Sequence, residues 1–294
     1  PRVRVFARVD RFDRFVSLLV YVPRDRYTSA VRERIGALLA EAYDGSIVAF
    51  YPHFTDGPLV RVQFIVARFA GATPHVAATD LEPRIVEIVR TWEDRLANAI
   101  AASGGDAEAL EKLESKYRAA FSAGYAETFT PERALEDIKR IERLGPDRPV
   151  AIDFYAAPGE PMGRVHAAVY RFGPPMRLSE RVPILENLGF SAIDERSYRI
   201  TPRFGDGVRE VTLHDMALET CSGGAIDLAT HGKRLEGAFL AVFQGLADND
   251  GYNRLLVSAG ADWREAATLR AYGAYLRQLG SPFGLRYLAD TLHR

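Results

Sequence analysis

The sequence predicts an α+β chain: two small antiparallel α/β sandwiches, joined and followed by helical segments. Three observations carry this. Short runs with period-two apolar alternation recur, each bounded by turn residues. The same order of elements is written twice, at an offset of 149–150 residues. Between and after the two copies the apolar period changes from two to about 3.6, the spacing of amphipathic helices.

Taken in order, the first copy has strands near Val3–Ala7 and Phe15–Val22, a helix over Ser29–Tyr43, strands at Ile47–His53 and Leu59–Phe69, and a helix near Leu81–Ala101. The first helix sets Val31, Ile35, Leu38, Leu39 and Ala42 in one stripe. Thr28 or Ser29 caps its start, and Gly45 suits a left-handed exit. Asp56-Gly57 between two β-rich runs is a hairpin signal. Asp80, with Pro83 in the first turn, opens the long helix carrying Ile85, Ile88, Trp92, Leu96 and Ile100. Asp106 then caps a helix with Leu110, Leu113, Tyr117 and Phe121. Thr130-Pro131 starts another, which Gly145-Pro146 stops.

The second copy runs Val150–Tyr155, Val165–Phe172, a helix over Glu180–Leu188, Ser191–Ile200, Val208–Leu218 and a helix near Ile226–Gly245, with Gly205-Asp206-Gly207 as its hairpin turn. Asp262-Trp263-Arg264-Glu265 has the form of a capping box, and Leu285, Leu288 and Leu292 mark a last helix. Strand, helix, strand, strand, helix around one sheet is the ferredoxin-like ordering. The expected segments are therefore 1–105 and 148–223 as sandwiches, 106–147 as a helical connector and 224–294 as a terminal helical segment.

Composition bounds the function. The 294 residues suit roughly two domains, and a formal net charge of −1 gives no global attraction to nucleic acid or membrane. No apolar run approaches the roughly 20 residues of a membrane helix. The one cysteine, Cys221, has no internal disulfide partner, which points to a reducing, cytoplasmic setting. Pro1 at the start and a helical pattern running to Arg294 read as cuts, so a piece of a longer chain is expected.

Few residues carry chemistry. Neither a dinucleotide turn nor a phosphate loop occurs. Gly205-Asp206-Gly207 joins two strands, and Ser222-Gly223-Gly224 reads as a loop at a domain edge. Cys221 follows His214-Asp215, but neighbours on a strand point to opposite faces, against a relay. His53, His75, His166, His214, His231 and His293 lack metal-ligand spacing and read as ordinary surface or edge histidines. Asp153 and Asp194-Glu195 lie on or beside strands. Arg2, Arg4, Arg8, Arg11 and Arg14, mixed with Phe6, Phe12 and Phe15, suggest a nucleic-acid surface. Asp10 and Asp13 interrupt them, which favours a solvated strand or a subunit contact. Tyr170, Arg171 and Phe172 are read as the second copy's exposed contact residues.

The stretch FGPPMRLSERVPILENLGFSAIDE (Phe172–Glu195) resembles the strand–loop–helix–strand of an ACT-like domain. ILENLGFSAIDERSYRI (Ile184–Ile200), with His214-Asp215 on the next strand, is similar to the very large NAD-specific glutamate dehydrogenases of bacteria. Two more stretches agree: Ala241–Gly280 is similar to the helical segment before that family's catalytic domain, and Phe6–Ile35 to an earlier ACT-like unit. The resemblance implies a regulatory and assembly region of an enzyme that oxidises L-glutamate to 2-oxoglutarate and ammonia with NAD. It carries no catalytic residue onto this chain, and no cofactor; NAD belongs to the parent. It implies partners in other domains and subunits of a homo-oligomer, and an amino-acid effector for which Gly173, Met176, Arg177 and Ser179 form the candidate loop. Effector-binding ACT loops usually hold an acidic residue and a glycine; here the loops are Gly173-Pro174-Pro175-Met176 and Pro23-Arg24-Asp25-Arg26. The alternatives are a stand-alone ACT-type small-molecule sensor and an RNA-binding ferredoxin-like module.

Overall fold

A computed structural model describes residues 2–69, 71–157, 159–161, 163–204 and 207–292. The chain divides into two compact units, Pro1–Arg95 and Leu96–Arg294.

In the first unit, β1 (Arg4–Val9), β2 (Phe15–Pro23), β3 (Gly45–Phe54) and β4 (Leu59–Arg68) form one antiparallel sheet in the order β1-β2-β4-β3. α1 (Ser29–Ala42) and α2 (Ala78–Val89) follow β2 and β4. Because β2 and β3 both run antiparallel to β4, α1 is the crossover of a split βαβ unit. Val16, Leu18, Val20 and Val22 alternate inward from β2 and Val60, Val62, Phe64 and Val66 from β4, meeting Ile35, Leu38 and Leu39 of α1 and Leu81, Ile85 and Val89 of α2. Thr28 caps α1 as expected. Buried Arg68 closes the other end, donating to the carbonyls of Tyr43 and Asp44, where the helix dipole favours a cation.

The single helix expected near Leu81–Ala101 is two. α2 starts at Ala78, so Asp80 lies in its first turn and Pro83 beyond it. The backbone of Arg90 leaves the helical region at ψ 130, and α3 (Trp92–Ala102) starts afresh. The cause is a local cap: Asp94 accepts from the Thr91 amide at 3.2 Å, and the Thr91 hydroxyl accepts from the Asp94 amide at 3.2 Å.

The second unit repeats the pattern. β5 (Val150–Tyr155), β6 (Arg164–Phe172), β7 (Phe190–Ile200) and β10 (Val211–Thr220) are ordered β5-β6-β10-β7, with α7 (Leu178–Asn187) and α8 (Leu228–Phe243) as its helices. The strand order matches the first sheet. The match extends to an irregularity: register slips at Val48 in β3 and at Ile193 in β7, the fourth residue of each strand. A β-bulge at the same place in both copies makes the repeat structural as well as sequential.

The expected strand Val208–Leu218 is broken. β8 (Arg203–Phe204) and β9 (Gly207–Val208) form a separate ribbon before β10 begins at Val211. Gly205 and Asp206 of the expected turn lie outside the described residues, as does His293.

Residues 106–147 do more than connect. α4 (Ala107–Tyr117), a short α5 (Ala123–Thr128) that the sequence did not reveal, and α6 (Pro131–Ile141) belong to the second unit. Asp106, Ser122 and Thr130 cap them. Phe121 falls outside α4 and bridges to Ile200 instead. The Thr201 amide donates to Ala120, and Tyr198 packs edge-on against Tyr125 and Phe129. These helices thus cover the sheet face opposite α7 and α8. The terminal segment folds as α9 (Leu255–Ser258), α10 (Trp263–Gln278) and α11 (Leu285–Leu292), with Asp262 and Glu265 forming the expected capping box.

Candidate functional site

The covered face of the second sheet carries the densest polar chemistry of that unit. Alternation along β5, β6 and β10 places Asp153, Tyr155, His166, Tyr170 and Asp215 on it. α6 supplies Arg133, Asp137 and Arg140 at helical spacing, so that three charges project from one face toward the sheet. Arg133 donates to Asp153 at 2.9 Å and to the Tyr170 hydroxyl at 3.2 Å, and its Nε lies 2.9 Å from Asp137. Arg140 donates to the other Asp153 oxygen at 2.6 Å. The hydroxyls of Tyr125 and Tyr170 donate to Asp137 at 2.6 and 2.8 Å. Burial drives the carboxyl pKa of Asp137 upward, opposed by Arg133 and the two phenols. Two guanidinium and two carboxylate groups balance, which is how charge is held inside a protein.

One side of this network opens. A cleft of roughly 600 Å³ is lined by Thr130, Arg133, Tyr155, Glu160, His166 and Asp215. The Arg133 guanidinium stacks 4.0 Å over the Tyr155 ring. Tyr155 donates to Asp215 at 2.7 Å. His166 lies 3.5 Å from Asp215 and 3.7 Å from Glu160, both long for a hydrogen bond, and 5.1 Å from Tyr155 ring to ring. Contact with Asp215 raises the His166 pKa, against its desolvation. The cleft offers a cation beside a carboxylate pair, suited to binding a small polar molecule. Among the described residues no group of three or more His, Cys, Asp and Glu side chains could hold a metal ion.

The opposite face holds a second polar cluster, beneath the N-terminus of α7. Arg181, 3% exposed, donates to the Met176 carbonyl and to Glu195. The Met176 amide donates to His214 Nε2 at 3.3 Å. That nitrogen is therefore the acceptor, and the proton sits on Nδ1, which lies 3.0 Å from Glu195 and 2.8 Å from the Ser197 hydroxyl. Burial lowers the His214 pKa, with Arg181 adding to the effect, and the neutral ring fits this arrangement.

Against these sites the sequence reading divides. Of the candidate loop, Gly173 takes φ +85 and donates to Glu210, while Arg177 and Ser179 are exposed. Met176 is 4% exposed and part of the core. Its amide and carbonyl are held by His214 and Arg181, and the Arg177 amide is taken by Glu180 at 3.0 Å. The histidine reading fails for His214, which is 3% exposed, and for His166, largely enclosed. Tyr170 is wholly buried instead of forming an exposed contact, and Arg171 and Phe172 are half-buried. His214 and Asp215 do face opposite sides, as alternation requires. Cys221 is exposed beyond the end of β10, its sulfur 3.7 Å from the Ser191 hydroxyl; seven extended residues set it about 20 Å from His214. The Ser222–Gly224 loop packs where a Cβ on Gly163 would meet the Gly223 carbonyl at 3.1 Å. Arg133, Asp137, Arg140 and Tyr155 went unmarked; the i, i+4, i+7 spacing of the first three was the available signal, legible only to a reader who knew what the helix covers.

Comparison with known proteins matches four separate stretches of the chain. Residues 4–93 match the glutamate dehydrogenase ACT2 domain and 149–231 the ACT3 domain. Residues 99–144 match helical motif 2 and 247–294 helical motif 3 of the same enzymes. The chain is 34% identical over 292 residues to an NAD-specific glutamate dehydrogenase of Pseudomonas aeruginosa, 36% over 296 residues to one of Halomonas elongata and 30% over 305 residues to one of Mycobacterium tuberculosis. These alignments cover 98–99% of this chain and 18% of each relative. The chain is therefore similar to the ACT2, helical motif 2, ACT3 and helical motif 3 regions of glutamate dehydrogenases, taken in that order, and it spans about 18% of the length of the relatives it matches.

Proposed function

We propose that this chain is a non-catalytic regulatory and assembly region of a cytoplasmic, homo-oligomeric NAD-dependent glutamate dehydrogenase that converts L-glutamate, NAD and water to 2-oxoglutarate, ammonia and NADH. One observation carries the reading: all four matched regions belong to that enzyme's ACT and helical portions, and together they span nearly the whole chain. NAD is the cofactor of the parent protein, and the residues here serve its other domains and subunits. An amino-acid effector belongs to this reading too. Of its two candidate positions, the Gly173–Ser179 loop has three backbone groups already engaged. The cleft at His166 and Asp215 has room and charge of both signs.

The test is NADH formation from L-glutamate by the purified 294-residue chain and by the longer protein. The expected result is turnover by the longer protein alone, and loss or altered regulation of that turnover when residues 1–294 are deleted. Turnover by the isolated chain, or a deletion with no effect on activity or assembly, overturns it. Calorimetric titration with L-amino acids, repeated on His166→Ala, decides between cleft and loop.

A further inference from the structure

The two sheets are copies, but among the described residues only the second has both faces covered within its own unit. Cross-strand register makes the comparison residue by residue. On the face of the second sheet opposite α7 and α8, one row reads Asp153, Ala168, Asp215, Arg196 and the next Ala151, Tyr170, Leu213, Tyr198. α5 and α6 lie over these rows, with Tyr125 and Phe129 against Tyr198 and with Arg133 and Arg140 on Asp153. Aligned on the shared bulge, the corresponding rows of the first sheet read Phe6, Leu19, Gln63, Tyr51 and Arg4, Tyr21, Arg61, His53.

The residues at both ends of these rows are exposed, and Leu19, Tyr21 and Gln63 between them are half-buried. Phe6 is 58% and Tyr51 60% exposed, with Arg4, Arg8, His53 and Arg61 exposed beside them. The chemistry is also inverted. In the second copy the sheet offers carboxylates and the covering helix brings arginines; in the first the sheet offers Arg8 and Arg61 around an aromatic centre, while Arg4 is already paired with Glu82 of α2 at 3.0 Å. The complementary occupant is amphipathic, apolar along one stripe and acidic beside it.

We propose that this face is the docking surface for an acidic amphipathic helical segment of the longer protein, outside these 294 residues and standing to the first sheet as residues 107–141 stand to the second. By the order of the repeat that segment lies on the N-terminal side of residue 1. Three facts support it. The relatives are more than five times as long as the region matched. The matched regions are the second and third of their kinds, and helical motif 2, at 99–144, comes immediately before the ACT3 region whose sheet it covers. An exposed aromatic and arginine surface is what protein contacts favour. The inference rests on the proposed function in that it needs the longer protein; it adds which segment the first sheet holds.

The experiment places the photo-crosslinker p-benzoylphenylalanine at position 51 of the longer protein and maps the products by mass spectrometry in a mixture of isotopically light and heavy copies. The expected product is a cross-link within one copy to a helical peptide preceding residue 1. In parallel, Phe6→Glu with Tyr51→Glu should lower the unfolding midpoint of the longer protein by at least about 5 °C more than that of the 294-residue chain, because the face is already wet in the latter. Cross-links between light and heavy copies, cross-links to other segments, equal shifts in both proteins, or salt-sensitive binding of a single-stranded RNA oligonucleotide abolished by the same substitutions would each overturn the assignment. Glutamate turnover by the longer protein is scored separately, so failure of the docking surface and failure of the proposed function are distinguishable.

Discussion

Asp137 accepts from Tyr125 and Tyr170, pairs with Arg133 and is wholly enclosed. Removing it takes one carboxylate from Arg133, which keeps Asp153, and leaves two buried phenols without their acceptor, so Asp137→Ala should cost about 3–5 kcal/mol in urea unfolding. Asp153→Ala removes the other carboxylate of the same Arg133, so the loss in the double variant should depart from the sum of the two single losses. The two enclosed histidines should titrate on opposite sides of the ordinary value of 6.5, His166 above it and His214 below. The proton is bound more tightly by folded His166 than by the unfolded chain. Its contribution is therefore complete below the unfolded pKa of about 6.5 and fades as pH rises through the folded value. Folded His214 binds its proton more weakly, so its contribution is complete above that unfolded value and fades as pH falls. His166→Gln should accordingly cost more stability near pH 5.5 than near pH 8.5, whereas His214→Gln should cost less at the lower pH. NMR titration of the imidazole protons together with urea midpoints at the two pH values checks both signs.

At the scale of elements, caps and close backbone approaches set the boundaries. Thr130 accepts from the Arg133 amide at 3.3 Å, and Pro131 occupies the first helical position. Thr130→Ala should cost about 1 kcal/mol by thermal unfolding, as loss of an N-cap generally does. The left-handed exit expected at Gly45 falls on Asp44 at φ +47, and position 45 needs glycine because a Cβ there would sit 2.3 Å from the Ala67 carbonyl oxygen. That obstacle is backbone and cannot rotate away. Gly45→Ala should cost about 1–3 kcal/mol and disturb the β3–β4 register, visible as lost amide protection along β3. A substitution at exposed Gly104, where nothing approaches, serves as the control.

For the molecule as a whole, the covering helices decide what folds alone. The core of the first unit is drawn entirely from residues between Val3 and Val89, so a fragment of residues 1–105 should unfold cooperatively. The second sheet buries Tyr170, Tyr198 and Asp153 under α5 and α6. A fragment of residues 148–294 would expose that whole face and leave Asp153 without its arginines. It should be aggregation-prone or molten, with weak near-ultraviolet dichroism, while residues 96–294 fold normally. A cooperative, monomeric 148–294 fragment would contradict the role given to these helices.

The sequence by itself determined the elements that alternation and caps encode. It placed four strands and two helices in each copy, the Asp106, Thr130 and Asp262 caps, and the repeat, because these depend on neighbours within a few residues. The tight cap at Thr91 and Asp94 was local too, yet a continuous apolar stripe through Ile88, Trp92 and Leu96 concealed it. What only the tertiary structure decided was which surfaces meet. Asp153 and Arg133 lie 20 residues apart in sequence and Tyr155 and Asp215 60 apart. Nothing in their immediate surroundings says that they share one face. The same limit turned Tyr170 from an expected contact residue into a buried one and His214 from an edge residue into the partner of a loop amide. Periodicity tells which side of a strand or helix is apolar; whether the other side is wet depends on what packs there, and that is settled by the rest of the chain.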